Sequence, residues 1–151
     1  MYLVFGSRAG LFDAVAEEVY ERAGYLRVLE AIRVPKARDT LRGGISEGVR
    51  MFAAYRDVFR ALHSMQELEP EAVGGAIGRI EEQRAEGMMW LARRLSRQKQ
   101  LQPGIKIKEA AHLLWIATSF DGFDLLYTGR GLSADETARM LVENTERAIC
   151  V

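Results

Sequence analysis

Groups capable of catalysis or metal ligation are few in this chain, and they are scattered. Its two histidines, His63 and His112, lie far apart in the sequence. Glu109-x-x-His112 is a single copy of a pattern that di-iron helical bundles use twice, alongside further carboxylates that have no counterpart here. The lone Cys150 has neither a neighbouring histidine nor the strand-turn-helix setting of an activated thiolate, and reads as a packing residue near the C-terminus. Gly74-Gly75-x-x-Gly78 follows no strand and lacks the lysine of a phosphate cradle. These residues therefore argue against an enzyme and against a metal or cofactor. Binding is the chemistry left.

Composition narrows what could be bound. The 151 residues carry 21 Lys plus Arg and 21 Asp plus Glu, so there is no overall basic field to hold nucleic acid. Arg93, Arg94, Arg97 and Lys99 do cluster at the end of one helical pattern. With Trp90 as the single aromatic interleaved there, a solvated helix end that complements the helix dipole is preferred to a nucleic-acid surface. One cysteine excludes an internal disulfide framework and fits a reducing, cytoplasmic setting. The opening Met-Tyr-Leu-Val-Phe-Gly-Ser-Arg lacks the charged and long apolar regions of a secretion signal. Three prolines among abundant Ala, Leu, Glu and Arg predict an all-α protein, long enough for one domain with a substantial core.

The stretch Leu113–Tyr127 organises the rest. On a single helix, Ile116, Phe120, Phe123 and Tyr127 form an aromatic stripe, Trp115, Ser119, Gly122 and Leu126 a second face, and Leu114, Thr118 and Leu125 a third. A rod apolar on nearly every side belongs in the middle of a bundle or between two subunits. Asp121 and Asp124 rule out a bilayer span, which needs roughly 20 apolar residues. Asp124 shares the aromatic side, where a carboxylate must meet an arginine, a tyrosine, water or a ligand, an internal arginine being preferred.

Around this rod the periodicity predicts a bundle of about six helices. A first helix runs from the cap Ser7 to about Ile32, with Leu11, Phe12, Val15 and Val19 inward. A second starts at Asp39 and reaches about Tyr55, burying Leu41, Ile45, Val49 and Phe52. Gly43, Gly44 and Gly48 within it suggest close backbone packing or space kept open beside it. Helices from about Asp57 to Leu68 and from Glu71 to Gln100 follow. Ser133, with Glu136 three residues on, supplies a capping box for the last helix, whose stripe is Ala138, Leu141, Val142, Thr145 and Ile149.

Tyr2-x-x-Phe5-Gly-Ser-Arg8-x-x-Leu-Phe-x-Ala-Val15 resembles the junction in TetR-family transcriptional regulators where the recognition helix of a helix-turn-helix ends and the fourth helix begins. Trp115-x(5)-Asp121-Gly and Arg130-Gly-Leu-Ser-Ala-Asp-Glu136 resemble helices eight and nine of the same family. The resemblance implies that residues 1–6 are a remnant of the recognition helix, 7–34 a connecting helix and 35–151 a ligand-binding and dimerisation domain. Tyr2 and Arg8 would touch or orient the DNA backbone. Most of the reader would precede Met1, through shortening of the chain, a start assigned at an internal methionine or true loss. The residues shown are not expected to read bases by themselves.

The family further implies a cavity for a small apolar or amphipathic effector among the middle helices. Phe52, Tyr55, Phe59, Met88, Phe120 and Phe123 are its candidate walls, and His63, Gln83, Asp124 and Tyr127 its candidate polar anchors. For each aromatic, ordinary core packing is an equal alternative. A homodimer contact would use Trp115, Ser119, Gly122 and Leu126 together with Leu141, Val142, Thr145 and Ile149, Gly122 allowing close helix approach. The function so implied is a ligand-responsive regulator of repressor type. A helical dimer that binds a small molecule or protein without DNA is the alternative.

Overall fold

The computed structural model describes residues 7–71 and 75–151. They form eight helices, two more than periodicity alone suggests: α1 (Arg8–Ala23), α2 (Tyr25–Ala31), α3 (Ala37–Ala54), α4 (Arg56–Leu68), α5 (Ala76–Arg97), α6 (Ile107–Ala117), α7 (Phe120–Tyr127) and α8 (Ala134–Ile149). No helix among the described residues is long and apolar enough to cross a membrane.

Both additional helices come from breaks inside runs that look continuous in sequence. Ser7 caps α1 as expected, its hydroxyl accepting from the Gly10 amide at 3.0 Å. The helix then stops at Gly24, which takes φ 102° and donates its N–H back to the Tyr20 and Glu21 carbonyls. This is a left-handed turn that glycine adopts without steric cost. The chain restarts as α2 in a new direction instead of running on to Ile32.

The second break divides the Leu113–Tyr127 rod. Thr118 turns its hydroxyl onto the Leu114 carbonyl at 2.8 Å, and the Ser119 amide bonds to Ile116 O, one residue short of the helical partner. The Trp115 carbonyl is thereby left to accept from Arg84 Nη1 at 2.7 Å. Ser119 becomes the N-cap of α7, its Oγ accepting from the Gly122 amide at 2.9 Å. Two consequences follow. Ile116, expected on the inner aromatic stripe, is 60% exposed, because the break ends the register it shared with Phe120. At Gly122, a side chain would put its Cβ 2.8 Å from the Ile116 carbonyl, so this glycine makes room for the chain's own turn.

Helix starts are also reset by distant partners. Lys36, not Asp39, is the N-cap position of α3, and the Ala37 amide donates to Gln98 Oε1 of the segment after α5 at 2.8 Å. Asp39 sits in the first turn instead, 3.7 Å from Arg42. The start of α5 is Ala76 rather than Glu71, its amide donating to Asp13 Oδ1 of α1 at 2.9 Å. By contrast, α8 begins with the capping box read from sequence, Ser133 and Glu136 bonding reciprocally. Its far end is clasped by an antiparallel bridge between Leu101 and Cys150, and the Gln102 side chain donates to the Arg147 and Cys150 carbonyls. Cys150 is buried there, and burial pushes its thiol up.

The core runs through the middle of α3 to α8, with Leu41, Ile45, Phe59, Leu95, Leu114, Phe123 and Ile149 essentially sealed from solvent. Phe52 is its aromatic hub. It meets Phe59 and Phe120 edge-on at 5.2 and 5.3 Å and lies tilted 5.6 Å from Phe123. Such pairs add to the burial of the rings themselves. These rings occupy one side of α3, while an apolar space lies on the side facing α2 and α5 and a more polar groove separates α3 from α8.

Candidate functional site

A cavity of about 310 Å³ lies between the α1–α2 turn, α3 and α5. Tyr20, Tyr25, Val28 and Ile32 form one wall, Met51 and Phe52 the floor, and Ile80, Met88 and the Arg84 region of α5 the other wall. A narrower extension of about 60 Å³ continues past Gly44, Gly87 and Met88 towards Leu91 and Leu114. The main space is within the range of small-molecule sites, at its lower end. Two glycines keep it open. A Cβ on Gly87 would meet nothing within 4 Å, and one on Gly44 would meet only Ile32 Cγ2 at 3.2 Å. Gly43 serves the opposite purpose, since a Cβ there would lie 3.1 Å from the Ala31 carbonyl where α2 crosses α3.

The cavity is largely apolar, and most of its polar lining groups already have partners. Arg84 lies over the Trp115 ring, 3.5 Å from its centroid, and donates through Nη1 to the Trp115 carbonyl and to Thr118 Oγ1 at 2.7 and 2.8 Å. Its Nη2 donates to Glu81 Oε2 at 2.7 Å and its Nε to Oε1 at 3.3 Å, so the pair one helical turn apart is bidentate. The Tyr20 hydroxyl lies 3.4 Å from His63 Nε2. Burial pushes the Tyr20 phenol well above its usual range, with Glu81 adding to the effect. Burial also draws the His63 imidazole below its ordinary value, against the pull of Glu81 and Asp121.

Of the effector contacts expected from sequence, Phe52, Gln83 and Met88 line this cavity. The remainder stand elsewhere. Phe59, Phe120 and Phe123 are core, and Tyr127 stacks on Phe123 at 4.9 Å. His63 stacks flat on Phe120 at 5.1 Å and reaches the cavity only through Tyr20. Tyr55 is the exposed corner between α3 and α4.

Asp124 has an internal arginine, the outcome preferred from sequence, and does not line this cavity. Arg56 grips it with two bonds of 2.7 and 2.8 Å, Thr128 donates to it at 2.5 Å, and Arg60 approaches to 3.3 Å. Sequence reasoning missed Tyr20, Tyr25, Val28, Ile32, Glu81 and Arg84. Their one signal was the group of glycines in α3, which suggests close backbone packing or open space without saying which helix lies opposite, and Gly43 and Gly44 show one of each.

The residues expected at a subunit contact divide by burial. Ile149 is 0% exposed and Thr145 is buried, its hydroxyl returned to the Leu141 carbonyl at 2.6 Å, so this chain covers both. Leu141 and Val142 are partly buried against the core. Trp115, Ser119, Gly122 and Leu126 are also partly covered, Trp115 by Arg84. The bulky apolar groups most exposed on α6 and α7 are Ile116 and Leu125, at 60% and 71%, with Ile107 also in solvent at the start of α6. At the start of α1, Arg8 is exposed, 5.9 Å over Phe12 and 4.0 Å from Glu69. Tyr2 lies outside the described residues.

Among the described residues, no three His, Cys, Asp or Glu side chains come together in a way that could hold a metal ion. Comparison of the chain with protein-family models, curated proteins and solved structures finds no match.

Proposed function

We propose that this chain is the effector-binding and dimerising part of a TetR-type transcriptional regulator of repressor kind. The observation that carries the reading is the cavity walled by the end of α1 and by α2 on one side and by α3 and α5 on the other. By its resemblance to TetR-family regulators, α1 corresponds to the helix that follows the DNA reader. Tyr20 belongs to α1, and Tyr25, Val28 and Ile32 to α2 beyond the Gly24 turn. A molecule entering the space therefore presses on the segment that would set the reader's position. The energy available for switching is the difference in ligand affinity between the two placements of α1. In a dimer, that placement sets the spacing of two readers on neighbouring half-sites. On α6 and α7, Ile116 and Leu125 are exposed apolar side chains available for a second copy to cover.

A distance measurement between two copies tests this reading. With Arg8→Cys carrying a nitroxide, the labelled protein is expected to give one inter-subunit distance that shifts by several ångströms when a bound apolar ligand saturates the cavity. A protein that stays monomeric at tens of micromolar, or a ligand-bound dimer whose distance is unchanged, would refute it.

A further inference from the structure

The cavity's own hydrogen bonds point to the class of molecule it accepts, an inference that rests on reading it as the effector site. Among the described residues lining it, the charged side chains are Glu81 and Arg84, and each neutralises the other through two bonds. Arg84 is further committed to the Trp115 carbonyl and Thr118 Oγ1, and Thr118 itself donates to the Leu114 carbonyl. Tyr20 is turned to His63. Gln83 and the Tyr25 phenol are the lining groups for which no such bond is formed, and Gln83 is exposed. An anionic ligand would have to take Arg84 from Glu81 and leave a half-buried carboxylate beside it without its partner. A cation would have to strip Glu81 from Arg84. Neither exchange leaves the charges balanced.

We infer that this site selects uncharged, predominantly aromatic or hydrocarbon molecules, and that the Glu81–Arg84 pair is the device that excludes anions of the same shape. The methionines Met51 and Met88 adapt the wall to such a surface, while the 60 Å³ extension accepts no more than a short alkyl or ring-edge projection. Glu81 is thus a specificity residue. Removing its charge leaves Arg84 in place on Trp115 and Thr118 with uncompensated positive charge facing the space.

Two fluorescent probes of nearly one shape test this, N-phenyl-1-naphthylamine, which is neutral, and 8-anilinonaphthalene-1-sulfonate, which is the same skeleton with an anionic group. The native chain is expected to bind the neutral probe at least about tenfold more tightly, and Glu81→Gln to narrow that ratio by about tenfold or more by improving sulfonate binding. Equal affinities in the native chain would overturn the charge selection while leaving a ligand cavity standing. An unchanged ratio in a folded Glu81→Gln variant would remove Glu81 from the explanation. No binding of the neutral probe would overturn both the selection and the cavity's reading as an effector site. The native-chain comparison stands even where the variant fails to fold.

Discussion

Gly87→Leu is expected to raise the stability of the chain and weaken its ligand binding by on the order of a hundredfold in one step. Gly87 lies in the interior of α5 with ordinary helical geometry, and a Cβ there has nothing within 4 Å. Replacing a mid-helix glycine by a good helix former contributes about 1 kcal/mol. Partial burial of the new side chain in apolar space adds about 1 kcal/mol more. For a chain of this size, a gain of about 2 kcal/mol raises Tm by roughly 4–8 °C. The leucine fills the junction between the main cavity and its extension, so it competes with any ligand for the same volume. Losing about 100 Å² of apolar ligand contact weakens binding by on the order of a hundredfold. The opposed signs are diagnostic, because a substitution that merely damages the fold lowers both quantities. Thermal unfolding and titration with N-phenyl-1-naphthylamine measure the two. A destabilised variant, or one that binds as well as the native chain, contradicts the placement of the cavity.

Asp124→Asn is expected to be the most damaging single change that leaves side-chain volume untouched. Asp124 is 9% exposed and holds Arg56, Arg60 and Thr128 around it. Loss of charge-assisted bonds at a buried carboxylate costs about 2–3 kcal/mol, equivalent to roughly 5–10 °C in Tm. The pH dependence has a definite sign. Arg56 beside it, helped by Thr128, holds the Asp124 carboxyl below its usual value in spite of its burial. With the native pKa the lower one, the unfolded chain binds more protons between the two values. The stabilisation is therefore complete above about pH 4, the ordinary range of an aspartate, and disappears as the pH falls through the native value. The Tm difference between native and variant chains should be full at pH 7 and shrink on acidification below about pH 4. A difference that is absent at pH 7, or undiminished in acid, contradicts the arrangement.

These two sites also show what can be read from one sequence. The helical class, the caps at Ser7 and Ser133, and an arginine for Asp124 follow from local rules. A cap acts over one turn, and a carboxylate on an apolar face has few tolerable fates. The breaks at Gly24 and Thr118–Ser119 were hidden because hydrophobic periodicity runs straight through both. At Thr118 the decisive partner is Arg84, a residue of another helix. Most of the cavity was hidden for the same reason. Phe59, Phe120 and Phe123 follow the apolar pattern into the core, whereas the apolar cavity is lined by Gly44 of α3 and Gly87 of α5 opposite the short helix α2. Gly44 and Gly87 are visible in the sequence, but that they face one cavity is a fact of packing.

In the proposed function, a ligand enters beside α2 and is felt by α1. Amide hydrogen exchange with and without saturating N-phenyl-1-naphthylamine tests it most directly. The expected result is slower exchange in residues 20–32 and 80–88, the two walls of the cavity, with residues 120–127 nearly unchanged. Protection confined to residues 120–127, or bound probe with no change in residues 20–32, would contradict it.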